Sequence, residues 1–256
     1  FMPVYEHAEA LAQSIVTVAR GAGLPSNAVL TDMNEVLGRT AGNALEVLES
    51  IEALRSGQGE ERLMTVTRAL AVEMLLLGKL ATDVEDAKAK VKHALRSGAA
   101  AERFERMVAA LGGPRDILNH PEIHLPRAKV RLEVQPSRAG FVRSMDVRAI
   151  GLIVLSMGGG RRRAEDQIDP AVGLAAVASI GDRVGPGKPL AIVHAQSAED
   201  ARIAAADLQT AVQVAEDPPP LSPVVRATFR NARRISSKVR SFSARPAMRV
   251  EIVNAP

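Results

Sequence analysis

The chain has 256 residues, 46% of them hydrophobic and 24% charged, with a formal net charge of +4. With five Phe, one Tyr, no Trp and no Cys, it excludes an aromatic-rich core, a disulfide framework, and a thiolate nucleophile or metal site. No apolar run reaches the roughly 18 residues that cross a bilayer, and no signal peptide is visible, so a soluble protein of a reducing cytoplasm is expected.

The first element is a helix over residues 6–20, with Ala8, Leu11, Ile15 and Val18 at helical spacing and Gly21 as a left-handed cap. Residues 28–31 form a short apolar run that suits a buried strand. Asn43 opens a second helix, where Glu46 three residues on completes a capping box and Leu45, Leu48, Ile51 and Leu54 make an apolar stripe. Residues 61–80 form a third helix, apolar nearly all round and so expected to be buried on several sides. Thr82 with Glu85 opens a fourth, ending near Arg96 and Gly98, and a fifth covers residues 100–111.

The texture changes between Gly112 and Arg127. Residues 130–134 and 140–142 alternate as strands do, a helix spans 147–157, and a turn-rich segment feeds a strand at 190–194. A last helix covers 198–215 and ends at Pro218-Pro219-Pro220. Beyond it no pattern stands out except charge. Arg226, Arg230, Arg233, Arg234, Lys238, Arg240, Arg245 and Arg249 include no acidic residue among them. The net charge therefore belongs to the tail, which is expected to be disordered. With only Phe229 and Phe242 available for stacking and no nucleic-acid motif, a nucleic-acid partner is not expected.

Gly158-Gly159-Gly160 followed by Arg161-Arg162-Arg163 offers amides and guanidinium groups to an anion. No strand feeds the glycines and no Lys-Ser/Thr follows, so a helix ending at glycines is the better account. Of the histidines, His120 and His124 flank a non-helical Pro121 and need not share a face, which disfavours a metal pair. His194 ends an apolar strand and reads as a packed or interfacial histidine rather than a base. Glu46, Glu49 and Glu52 lie on one helix as solvated carboxylates. No Ser-His-Asp arrangement is present. The residues alone describe a soluble two-part α/β protein.

Four segments in order resemble the pyrimidine nucleoside phosphorylase family. They are 30–38 (LTDMNEVLG) with 41–47 (AGNALEV), then 104–110 (FERMVAA). The third runs from 148–151 (RAIG) through 157–162 (MGGGRR) to 166–169 (DQID) and 172–173, and the fourth joins 181–184 (GDRV) to 189–195 (PLAIVHA). The resemblance spans residue 1 to about 217 and stops before the tail. It implies an α/β fold in which helices and a partial sheet of the phosphorylase α/β domain (1–125) precede a smaller strand-rich α+β domain (126–217). That second domain would be barrel-sandwich-like and followed by the tail (218–256).

The implied reaction is reversible phosphorolysis of thymidine to thymine and 2-deoxyribose 1-phosphate in a complete, homodimeric enzyme, with phosphate as co-substrate and no organic cofactor. In the family, the glycine-rich phosphate loop, the groups that grip the pyrimidine and the dimer-forming helices precede the matched region. No catalytic side chain is therefore expected in these residues, and Phe1 matches a position lining the base site. Some relatives hold a potassium ion with two carbonyls and a carboxylate at positions matching Leu37, Thr40 and Glu49. Half of that shell belongs to the phosphate loop, so the site is expected to be empty in this chain alone. Other readings remain: a non-catalytic interaction module, or a phosphorylase acting also on uridine or on AMP.

Overall fold

The protein is described from a computed structural model covering residues 2–230 and the backbone of 233–235. In chain order the elements are α1 (Tyr5–Gly21), β1 (Ala28–Thr31), α2 (Asn43–Ser56), α3 (Glu61–Leu77), α4 (Val84–Arg96), α5 (Ala99–Ala110) and α6 (Pro121–His124). There follow β2 (Val130–Val134), β3 (Gly140–Met145), α7 (Val147–Val154), β4 (Gly173–Ala175), β5 (Arg183–Val184) and β6 (Ala191–Ala195). The described residues end with α8 (Ala198–Ala211), β7 (Val212–Ala215), β8 (Val225–Arg230) and β9 (Arg233–Ile235). The α/β class stands: helices are mixed with three antiparallel three-stranded sheets, ordered β1-β8-β9, β2-β6-β4 and β5-β3-β7. These sheets close no barrel among the described residues.

Contacts divide the chain into two compact units that do not follow the linear order. Among the described residues, one comprises 2–32, 65–93, 222–230 and 233–235, and the other 33–64 and 94–221.

In the first unit, β8 pairs antiparallel with β1, setting Ala28 opposite Phe229 and Leu30 opposite Ala227. Alternation along β8 turns Ala227 and Phe229 inward, both fully buried against Ala12 and Val16 of α1. The expectation of a disordered tail from residue 218 is therefore wrong over Val225–Arg230, and the rest of the basic run lies largely outside the described residues. The stripe read on α1 is also out of phase, since Leu11, Ile15 and Val18 are exposed. The small residues Ala12 and Val16 form the buried face because they let β8 approach and Phe229 fill the gap. Likewise α3 is not buried on several sides: Val66, Val72 and Glu73 are buried, but Leu70 and Met74 are exposed. Glu73 is the one buried charged residue among those described, and Arg230 grips both its oxygens. Asn27 Nδ2 donates to Glu73 Oε2 at 2.8 Å, and Arg20 donates to Asn27 Oδ1 at 2.8 Å.

The second unit holds the larger core. Strands β2 to β7 wrap α7 and α8, burying among others Val134, Val142, Ile150, Leu174, Val193 and Leu208. A smaller cluster sets Ile51 of α2 against Ala101 of α5 with Ile117 and Leu118. Residues 39–44 are stitched to 170–177 by backbone bonds: Ala41 and Leu174 exchange N–H···O bonds of 2.9 and 2.7 Å, and Val177 N donates to Arg39 O at 2.9 Å. Gly42 (φ 136°) and Gly173 (φ 157°) allow this approach. A Cβ on Gly42 would lie 2.9 Å from the Gly173 Cα, and one on Gly173 would strike the Ala41 carbonyl.

Several caps differ from the sequence reading by one residue. Gly42, not Asn43, caps α2, while Glu46 Oε1 still accepts the Gly42 N–H at 2.9 Å. Asp83, not Thr82, caps α4 by accepting from Glu85 N and Asp86 N, and Asp86 reaches back to Thr82 N. Gly21 is the last residue of α1, and the left-handed position is Gly23 (φ 80°). The last helix stops at Ala211, and Val212–Ala215 crosses into the sheet as β7. Helix α7 runs into a wider turn, Leu155–Gly159, which ends where Gly158 takes φ 96°.

Candidate functional site

The second unit contains an open cavity of about 1410 Å³. One wall is α2, from Ala44 to Ser56, with Arg39 and Thr40 of the preceding loop. The opposite wall is the outer face of the β2-β6-β4 sheet, where Arg131, Ala175 and His194 stand, and residues 121–128 contribute to the rim.

Glu49 brings the loop before α2 and the helix together. Its Oε1 accepts the Arg39 backbone N–H at 2.7 Å, and its Oε2 accepts the Thr40 hydroxyl at 2.5 Å. Gly38 is buried beside it, and a Cβ there would run into both carboxylate oxygens. The loop thus forms a cradle that a side chain would fill. Of the three residues matched to a potassium shell, Thr40 and Glu49 meet directly, and Leu37 lies on the same loop with its side chain exposed. Both donors on Glu49 are neutral dipoles, one to each carboxylate oxygen, and a carboxylate oxygen can accept more than one such bond. An all-oxygen set of this kind suits a hard cation and not a soft one. Glu49 is therefore not the simply solvated carboxylate that its helix position indicates. Phe1, matched to the base pocket, lies outside the described residues.

His194 lines the cavity with its ring, while its Nε2 is shut off from solvent and has no hydrogen-bond partner. It stands opposite Arg131 of β2 and Gly173 of β4. Burial, and then the positive charge of Arg131, push its pKa below the ordinary histidine value. The ring is thus held neutral near pH 7, in keeping with a packed histidine.

The remaining candidates separate. His124 Nε2 lies 2.7 Å from Asp116 Oδ1, and His120 Nδ1 lies 3.6 Å from Glu122 Oε1. The two histidines thus face different carboxylates at either end of α6. Among the described residues no group of three His, Cys, Asp or Glu is placed to hold a metal. In the glycine-arginine segment the backbone N–H groups of Arg162 and Arg163 both donate to Asp166 Oδ2 at 2.9 Å. A carboxylate of the chain itself already occupies the place an anion would take. The described cations of the tail are also engaged: Arg230 on Glu73, and Arg226 at 4.0 Å from Asp32. Phe229, being buried, cannot stack on a base.

The family model of the pyrimidine nucleoside phosphorylase C-terminal domain matches residues 141–215, and that of the glycosyl transferase family a/b domain matches residues 1–101. A relative, the thymidine phosphorylase of Burkholderia lata, is 50% identical over 222 residues. Over these matched residues the chain is similar to the pyrimidine nucleoside phosphorylases. The aligned stretch takes in 86% of this chain and 51% of that relative, so the chain spans about half the length of the curated phosphorylase it matches. No helix among the described residues is long and apolar enough to cross a membrane.

Sequence reasoning missed the pairing of Arg39, on the loop that carries Thr40, with Asp182. The pair is separated by 143 positions, and nothing in either local pattern announces it. The sequence signal was indirect, since both residues lie in or beside the quoted family segments.

Proposed function

We propose that this chain forms part of an enzyme that catalyses reversible phosphorolysis of thymidine, a pentosyltransferase of pyrimidine nucleoside salvage. Phosphate attacks C1′ as the bond to thymine breaks, and the departing base gathers negative charge that positioned donors and cations stabilise. The observation that carries this reading is the 50% identity over 222 residues with a thymidine phosphorylase, in step with two colinear family matches. Phosphate as co-substrate, a cytoplasmic location and a homodimeric complete enzyme are parts of the same reading. Residues 1–125 would serve as the rear of the phosphorylase α/β domain and 126–217 as its C-terminal domain, with Phe1 against the base.

Within that enzyme, the Leu37 and Thr40 carbonyls and the Glu49 carboxylate would hold a potassium ion. The ion would supply positive charge beside the phosphate. The cradle formed by Gly38, Thr40 and Glu49 supports this assignment.

The test is a chimera that joins this chain to the part of the Burkholderia lata relative it does not match. Phosphate-dependent release of thymine from thymidine is expected from the chimera and not from the 256-residue chain. A folded chimera without that activity would overturn the proposal. Relative rates on thymidine, uridine and AMP would separate the thymidine reading from a broader phosphorylase.

A further inference from the structure

Arg39 is the cation adjacent in sequence to Thr40, yet its guanidinium does not pair with Glu49. Only its backbone N–H reaches that carboxylate, at 2.7 Å. The side chain turns the other way, with Nη1 at 2.5 Å from Asp182 Oδ2 and 3.3 Å from the Val177 carbonyl. Asp182 is itself fixed, since the same Oδ2 accepts the Ser179 N–H at 2.9 Å and the Asp182 N–H donates to Ser179 O at 3.0 Å. The turn that carries it is tied down by Glu35, whose Oε2 accepts the Ile180 N–H at 2.8 Å. The other Glu35 oxygen lies 2.9 Å from Arg62 Nη1, with both side chains nearly buried.

A guanidinium whose own backbone N–H already bonds a carboxylate is a permanent competitor for it. Arg stays charged at any working pH, and its fork matches a carboxylate with two bonds. On Glu49 it would cover both oxygens and cancel the charge that draws a metal cation. Asp182 offers the guanidinium another partner, on a turn rigid enough to keep it there.

We propose that Asp182 is a positioning residue that holds the Arg39 guanidinium away from Glu49 and so keeps the Glu49 carboxylate open to a monovalent metal cation. The inference rests on the potassium site proposed above and goes beyond it, because it assigns the control of that site to the C-terminal domain. It also revises the expectation of an empty site in the chain alone: the Thr40–Glu49 oxygens form a weak site that a high cation concentration fills.

The experiment titrates the 256-residue chain with thallium(I) acetate and follows the thallium resonance. Wild type is compared with Glu49→Gln, Asp182→Asn, Arg39→Gln and the double variant Asp182→Asn/Arg39→Gln. Binding is expected in wild type and absent from Glu49→Gln. Asp182→Asn is expected to bind about five-fold more weakly, the scale of a partly exposed ion pair. The double variant should return to within about two-fold of wild type, because the competitor is gone.

A merely structural Asp182 would leave the double variant as weak as the single one. That result overturns the proposal, as does an Asp182→Asn variant that binds like wild type. Lack of Glu49-dependent binding in folded wild type also overturns it. Asp182→Ser is the second variant should Asp182→Asn fail to fold. None of these outcomes bears on phosphorolysis, which the chimera assay decides separately.

Discussion

Gly42 and Gly173 bring two backbones together where a methyl group would intrude on a carbonyl or a Cα. Replacing Gly173 by Ala should cost about 2 kcal/mol or more, from the strained φ and the forced separation together. Denaturant unfolding of the variant would read that loss. His194 supplies a second test at this scale. Its folded pKa lies below the unfolded value of about 6.5, so the unfolded chain binds the proton first as pH falls. Stability is therefore unaffected above that value and declines as pH drops from about 6.5 toward the depressed folded pKa. Thermal melts across this interval should show a decline that His194→Leu reduces. The glycines could be read as turn signals, but not as partners, because 130 residues of sequence lie between positions 42 and 173. His194 was legible as a packed residue from its place in an apolar strand. Its isolated Nε2 was not, since that depends on what the neighbouring strands bring alongside.

Among the elements, β8 carries a structural role that its composition conceals. Val225-Arg226-Ala227-Thr228-Phe229-Arg230 alternates strictly, and the alternation was available to a reader who set the arginines aside. Charge drew attention to the tail as a polyelectrolyte, whereas Arg226 and Arg230 are the alternate half of a strand, set beside Asp32 and Glu73. Phe229 is fully buried between α1 and β1, so Phe229→Ala should destabilise the first unit by about 3 kcal/mol. Protease sensitivity of α1 would report it, and ending the chain after Leu221 should have the larger effect. The helices and most strands were legible because each carries its own periodicity. Helix ends shifted by a residue where two capping residues stand side by side, as at Thr82 and Asp83. The phase of α1 was lost because its larger apolar residues are the exposed ones, and burial there follows shape rather than hydrophobicity alone.

For the molecule as a whole, the ordered family segments identified the α/β class and the phosphorylase family, since their order carries more information than any single one. The division into units was not legible, because it is made by contacts between distant stretches. On α1 and α3, Leu11, Ile15, Val18, Leu70 and Met74 leave sizeable apolar surface in water. An environment-sensitive hydrophobic dye should bind the native chain, and Leu11→Glu/Ile15→Lys should reduce that fluorescence without lowering the melting temperature.

The backbone stitching of residues 39–44 to 170–177 also bears on how such a protein could be rearranged in evolution. Parts of the two family matches meet inside one compact unit, although the linear texture changes far from that seam, between residues 112 and 127. A crossover there would pair one ancestor's α2 entrance with another's β4, leaving the glycine contact and the Arg39–Asp182 bridge to chance. Exchange of modules between phosphorylases of this type should therefore succeed only when both sides of the seam travel together.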